Sequence, residues 1–332
     1  MATPSLPTIW DSFPELNEPL QAVLTKMSNS WRIGFSEIDN AIRSQLNAGK
    51  LVRPALTLLF SELTAQPYNK KAIALGASVE LLHLATLIHD DIIDESKLRR
   101  GFESIQSQFG KDTAVYAGDY LLTGMFSLLS EADDTGADKL ALSALQDILF
   151  GELSQKQNRY QTNITFQSYI SQISGKTAAL FKLSVMFGIS SDSVDDPNLK
   201  QIVPQIGETL GIVFQLLDDY LDFESLSKNL ALGKPIGQDI KNGIYTAPIL
   251  FALEDSTIHN ELISLLQLRD DISDTELKRV HTLVDSSAAM SRLNSLLVKY
   301  NEELNLLIDQ LPQQNIKTQI EQLSDILLNR QY

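Results

Sequence analysis

From Leu20 onward, apolar residues recur along this chain at intervals of three and four in long runs. β-Branched alternation is rare and the paired turn signals of hairpins are missing, so the pattern predicts helices and no sheet. It breaks near Asn47–Gly49, Gln66–Pro67, Asp133–Gly136, Ser190–Pro197, Leu232–Gly237 and Leu311–Pro312. The segments between these breaks are too long for strands. An all-α fold follows, with roughly ten or more helices at ordinary helix lengths. Residues 1–19, with Pro4, Pro7 and Pro14, read as an irregular N-terminal arm, and residues 20–332 as one domain, because no Pro-, Gly- or Ser-rich linker divides them.

One run ends in chemistry. In Ser78–Gly101 the apolar positions Leu81, Leu82, Leu84, Leu87 and Ile88 lead into Asp90, Asp91 and Asp94, then Arg99 and Arg100. On a helix, Asp90 and Asp94 lie one above the other, ~6 Å apart along the axis. Carboxylates that close repel, so the arrangement implies a counter-charge. Oxygen ligands with one or two carboxylates per ion suit Mg²⁺, especially where substrate phosphates complete the shell. His83 sits two turns before Asp90 on roughly the same face. The stretch therefore reads as a diphosphate-handling helix.

Phe214–Phe223 repeats the logic, with Phe214, Leu216 and Leu217 leading into Asp218, Asp219 and Asp222. Two such helices facing one another would hold divalent ions between them; the bland alternative is a pair of solvated helix ends. A third D-D-x-x-D string, Asp270–Asp274, has no aliphatic run-in and no paired cations after it. It precedes Thr275, Glu276 and Leu277, and reads as a decoy: an acidic helix start. Lys50 and Arg53 stand just ahead of an apolar helix whose first turn suits Pro54, a plausible anion site or simply two solvated cations. ISGKTAALF, at 173–181, lacks the first glycine of a phosphate-binding P-loop, since that position holds Ile170. Lys176 and Thr177 can still meet phosphate from within a helix. GKPIGQDIKNG, at 233–243, is a glycine-bounded loop that carries Lys234 and Asp239 and suits a lid.

Composition narrows the partners. A net charge of −15 argues against nucleic acid and against a basic membrane-binding surface. With no cysteine there are no disulfides or thiolate metal sites, which fits a cytoplasmic protein. The N-terminus lacks the basic and apolar regions of a signal peptide, and no apolar run approaches the ~20 residues of a membrane span. A soluble protein is expected.

In these residues the chain resembles the trans-isoprenyl (polyprenyl) diphosphate synthases, from about residue 20 to the C-terminal LLNRQY. DDIIDESKLRRG matches that family's first aspartate-rich motif with its two arginines. FQLLDDYLD matches the second, and GKPIGQDIKNG followed by TAPILFALE matches the lysine loop. Gly49–Pro54, Glu80–His83 and Lys176–Thr177 fall in the family's order. The resemblance implies antiparallel helices around a deep central cavity, usually in a dimer, with a heterodimer as the alternative. It implies Asp90, Asp94 and Asp218 as Mg²⁺ ligands, three ions with substrate bound, supported by Asp91, Asp219 and Asp222. It implies Arg99, Lys176, Thr177, Gln215 and Lys234 at an allylic diphosphate, Lys50, Arg53, His83 and Arg100 at isopentenyl diphosphate, and Asp239 of the loop among the substrate-binding residues. The departing diphosphate is the implied base. The chain departs from the pattern at Ala48 and Leu51, in GFESIQSQFG where Pro-Thr-x-His is usual, and at Ile244 in place of a second loop lysine.

Positions four, five and eight before Asp90 are Thr86, Ala85 and Leu82, on the helix face below the aspartates. Ala85 is small enough for a growing chain to pass, which predicts a product of geranylgeranyl length or longer. Two rivals remain: a class I terpene cyclase, which typically lacks the second aspartate motif and the arginine pair, and a subunit of a two-component synthase. A calcium-binding EF-hand is disfavoured, because neither motif has alternating ligands around a central glycine.

Overall fold

The structure, a computed structural model, describes residues 6–132, 136–190, 194–227 and 237–328. Its helices are α1 (Pro14–Asn29), α2 (Ser36–Asn47), α3 (Val52–Ser61), α4 (Lys70–Ile93), α5 (Ile105–Phe109), α6 (Lys111–Ala132), α7 (Ala137–Gln157) and α8 (Phe166–Ile173). They continue with α9 (Ala179–Ser190), α10 (Pro197–Ser227), α11 (Gln238–Lys241), α12 (Ala247–Leu253), α13 (His259–Leu266), α14 (Asp274–Ser286), α15 (Ala289–Ile308) and α16 (Gln314–Leu328). Among the described residues the strands are β1 (Leu98–Arg99) and β2 (Phe102–Glu103), one antiparallel pair. The fold is all-α, as the periodicity predicts, and the breaks expected at Asn47–Gly49, Gln66–Pro67 and Leu311–Pro312 each fall between helices.

Packing divides the chain into two compact units. The first comprises Met1–Ser143, Leu180–Pro204 and Leu311–Ile320, and is built on α4. The side chain of Asn69 caps this helix by accepting from the Ala72 N–H, satisfying one orphan donor of the first turn. Buried residues occur on every face of α4, the mark of a helix enclosed by others. It packs against α1, α3 and α6. Contrary to expectation, α4 is long and apolar enough to cross a membrane by length and composition, but 72% of its most apolar window is buried inside the protein.

The N-terminal arm also needs correcting. Thr8–Ser12 form a 3-10 turn and α1 already begins at Pro14. The prolines suggested an irregular arm, yet Pro14 occupies the first helical turn, where a missing N–H costs nothing. Trp10, Phe13 and Leu16 are fully buried, so the segment is held by apolar burial and belongs to the core.

The second unit comprises Ala144–Ala179, Gln205–Gln310 and Glu321–Tyr332. Its core gathers Tyr169, Leu216, Phe251, Val280 and Leu293, with α12 packed against α8, α13, α14 and α15. Pro248 stands in the first turn of α12. The decoy behaves as predicted: Ser273 and Glu276 form a capping box at the start of α14.

Candidate functional site

In the first unit, α4 ends at Ile93 and Asp94 is its C-cap, with the Asp94 N–H on the Asp90 carbonyl at 2.9 Å. The helix therefore carries Asp90 and Asp94 a turn apart. Asp90 is half-buried, Asp91 is buried and Asp94 is exposed. The Asp91 carboxylate accepts from Arg99 Nε at 2.9 Å and from its terminal nitrogen at 2.5 Å. Its other oxygen is buried without a hydrogen-bond partner. Burial pushes the Asp91 pKa up, and the Arg99 hydrogen bond and charge pull it back. Arg99 thus serves as the counter-charge that holds Asp91, a role the motif reading did not include.

Arg99 and Arg100 stand on a hairpin that the hydrophobic pattern does not predict. The β1–β2 turn runs through Arg100 (φ 52°) and Gly101 (φ 82°). Two left-handed residues make the tight turn whose twist matches the strands, and glycine is favoured there; Arg-Gly was its one sequence signal. Behind it, Ser104 and Gln106 both donate to the Ser96 carbonyl, at 2.6 and 2.7 Å. The residues that depart from Pro-Thr-x-His therefore still close this loop.

A cationic neighbourhood lies in the same unit. Arg100 donates to the Gln45 carbonyl at 3.0 Å and lies 3.7 Å from the buried Glu80 carboxylate. Burial raises the Glu80 pKa, against the lowering charges of Arg100 and Arg53. Arg53, in the first turn of α3, stacks its guanidinium 5.0 Å over the Phe181 ring, a cation–π contact. Enclosure, then the charges of Arg53, Arg100 and Arg99, hold His83 well below its ordinary pKa. Its imidazole is neutral at pH 7 and offers one N–H. Lys50 is exposed, immediately ahead of α3. On α4, Leu82 and Ala85 are fully buried, while Thr86 is half-buried with its hydroxyl on the His83 carbonyl at 2.8 Å.

The second unit repeats the burial sequence on α10: Asp218 half-buried, Asp219 buried, Asp222 exposed. Asp219 is held by the Tyr169 hydroxyl on one oxygen and by Gln215 Nε2 on the other at 2.9 Å. The Gln215 carbonyl accepts from the Thr177 hydroxyl at 2.7 Å. Burial pushes Asp219 up to about 7 against the hydrogen bonds of Tyr169 and Gln215, and the charges of Asp239 and Asp222 add to the rise. Asp239 lies in the first turn of α11 and so shares this neighbourhood.

Lys176 and Thr177 sit in a π-helical turn, Ser174–Ala178, a local widening common at functional positions. Lys176 Nζ is 3.0 Å from Glu152 Oε1 and donates to Gln155 Oε1 at 3.0 Å. The turn fits because α7 approaches closely: a Cβ on Gly151 would stand 2.5 Å from the Lys176 nitrogen, and one on Gly175 would stand 2.6 Å from the Asp147 carbonyl. Lys234 lies outside the described residues. Tyr160 secures the far end of its loop, donating its N–H to the Gly243 carbonyl and its hydroxyl to the Lys241 carbonyl, both at 2.8 Å. Tyr169, Glu152 and Gln155 are not legible in the sequence, because their partners Asp219 and Lys176 lie 50, 24 and 21 residues away.

Among the described residues, no group of three or more His, Asp or Glu side chains is placed to hold a metal on its own. Each aspartate patch instead offers two carboxylates a turn apart and a third anchored to the protein. That donor set is all oxygen and fits Mg²⁺, which takes one or two carboxylates and completes its shell with phosphate and water.

Comparison with known proteins finds a matching family and similar structures. A family model described as polyprenyl synthetase matches residues 36–284. The chain is 30% identical over 249 residues to heptaprenyl diphosphate synthase component 2 of Bacillus subtilis, covering 74% of this chain and 70% of that one. It is similar to the crystal structure of a geranylgeranyl pyrophosphate synthase from Lactobacillus brevis, with TM-score 0.91, 32% identity and coverage of 97% and 99%. It is also similar to a polyprenyl synthase from Caulobacter crescentus complexed with calcium and isoprenyl diphosphate, with TM-score 0.87, 26% identity and full coverage of both chains, 100%.

Proposed function

Since the chain belongs to the polyprenyl synthetase family, we propose that it uses Mg²⁺ to build an all-trans polyprenyl diphosphate of geranylgeranyl length or longer. It is a prenyltransferase that condenses isopentenyl diphosphate with an allylic diphosphate. The observation that carries the finer reading is the matched pair of aspartate turns, each with a half-buried first carboxylate, a buried and tethered second, and an exposed last. The calcium and isoprenyl diphosphate named for the Caulobacter protein support a divalent ion beside the diphosphate here.

In this reading Asp90, Asp94 and Asp218 are the metal ligands. A bound Mg²⁺ would neutralise the diphosphate and make it a leaving group. Lys176 and Thr177 hold the allylic diphosphate with Arg99 and Lys234, and Glu152 and Gln155 hold the Lys176 ammonium by an ion pair and a hydrogen bond. Lys50, Arg53, Arg100 and the neutral His83 bind isopentenyl diphosphate. Tyr169 and Gln215 fix Asp219, and through it the turn that bears Asp218. Tyr169→Phe is expected to lower turnover about tenfold or more and to raise the Mg²⁺ needed for half-maximal rate, the usual effect of freeing a group that orients metal ligands. An unchanged Mg²⁺ dependence would contradict that role.

The chain acts as one catalytic domain that includes α1 and the turn before it, and the working form is a homodimer. Exposed Tyr116 and Phe126 on α6, and exposed Leu149, Phe150 and Leu153 on α7, give each helix an apolar face suited to a second copy. A heteromeric enzyme is the second reading, favoured by the word component in the name of the Bacillus relative. Incubating the purified chain with isopentenyl diphosphate, Mg²⁺ and several allylic primers decides among these. Elongated products of geranylgeranyl length or longer are expected. No turnover until a partner is added would establish the heteromer, and turnover of an allylic diphosphate alone would establish a cyclase.

A further inference from the structure

The corrected N-terminal segment reaches the cationic loop. Trp10 is fully buried in its 3-10 turn, and its indole N–H donates to the Lys50 carbonyl at 2.8 Å, across 40 residues of sequence. The next residue, Leu51, is buried and left-handed, with φ 57°, and it is the N-cap of α3. A leucine takes that conformation only where its surroundings enforce it. The peptide joining Lys50 to Leu51 shares the ψ of one and the φ of the other. A hydrogen bond to its oxygen therefore fixes both. On the other flank, Arg100 lies flush on Gly49: a Cβ there would stand 2.5 Å from a guanidinium nitrogen. The loop is thus held from both ends, by Arg100 at Gly49 and by Trp10 at Lys50.

We propose that Trp10 is a positioning residue for the isopentenyl diphosphate site, holding the Lys50–Leu51 peptide so that Lys50 is aimed and α3 starts where Arg53 can act. This rests on the assignment of Lys50 and Arg53 to isopentenyl diphosphate. Phe13 adds a buried apolar contact to the Trp10 ring, with 5.7 Å between ring centroids, and takes no part in the hydrogen bond.

The test is steady-state kinetics on full-length Trp10→Phe, which keeps an aromatic ring and loses the donor. The KM for isopentenyl diphosphate is expected to rise about fivefold or more, since the Lys50 carbonyl loses its buried partner. The KM for the allylic diphosphate and kcat should each stay within about twofold of wild type. Phe13→Leu should lower the thermal midpoint and leave both KM values in place. If Trp10→Phe does not fold, benzothienylalanine at position 10 keeps the bicyclic shape, lacks the N–H and gives the same reading. Lys50→Ala separates the two claims. If it leaves the isopentenyl diphosphate KM unchanged, the site assignment fails whatever Trp10 does. If Lys50→Ala raises that KM and the donor-free variants do not, or if they raise both KM values alike, the positioning role is overturned.

Discussion

Asp90→Asn is expected to lower kcat about a thousandfold, equivalent to roughly 4 kcal/mol of lost transition-state stabilisation. Asp218→Asn should do the same. Both residues are half-buried at the ends of apolar runs, so the change to an isosteric amide removes a metal-binding charge without opening a cavity. The thermal midpoint should move by no more than about 2 °C. Asp91→Asn supplies the contrast. Asp91 is buried against Arg99, and removing its charge leaves that guanidinium uncompensated, so stability should fall along with activity. Circular dichroism melts beside initial rates distinguish the two patterns. Activity of Asp90→Asn within about tenfold of wild type would remove it from the metal set.

Ala85→Phe is expected to shorten the product by at least a single isoprene unit, read by sizing the dephosphorylated alcohols. Ala85 and Leu82 are fully buried on the face of α4 that runs down from Asp90. If that face lines the path of the growing chain, a phenyl ring there fills space that product would otherwise occupy, and stability hardly changes. If Ala85 instead packs against protein on all sides, the ring overpacks the core at a cost of about 1–3 kcal/mol. The protein would then melt earlier and make the same product. The combination of product length and melting point therefore decides between a floor and an ordinary core alanine.

What the sequence made legible, and what it did not, follows from the range of the forces involved. Helices and their breaks depend on local periodicity and turn residues, and Asp90–Asp94, Asp218–Asp222 and the acidic helix start at Asp270–Asp274 are all local patterns. The partners that make those groups work come from tertiary contacts. Tyr169 reaches Asp219 across 50 residues and Lys176 meets Glu152 across 24. Nothing in either local pattern announces the pairing. The three N-terminal prolines suggested an irregular arm because burial of Trp10 and Phe13 depends on what packs over them. Arg100 reads as one more cation after a helix, but its left-handed turn with Gly101 builds a hairpin. Leu51, a departure from the basic residue expected there, is buried at the start of α3, so its identity is explained by packing.

The most direct test of the account is equilibrium binding of an allylic diphosphate to the purified protein, measured by calorimetry with Mg²⁺ and with a chelator. Carboxylates that act through metal predict tight binding only with Mg²⁺, and loss of that binding in Asp90→Asn and in Asp218→Asn. Binding of equal strength with the chelator present, or undiminished in both variants, would contradict it.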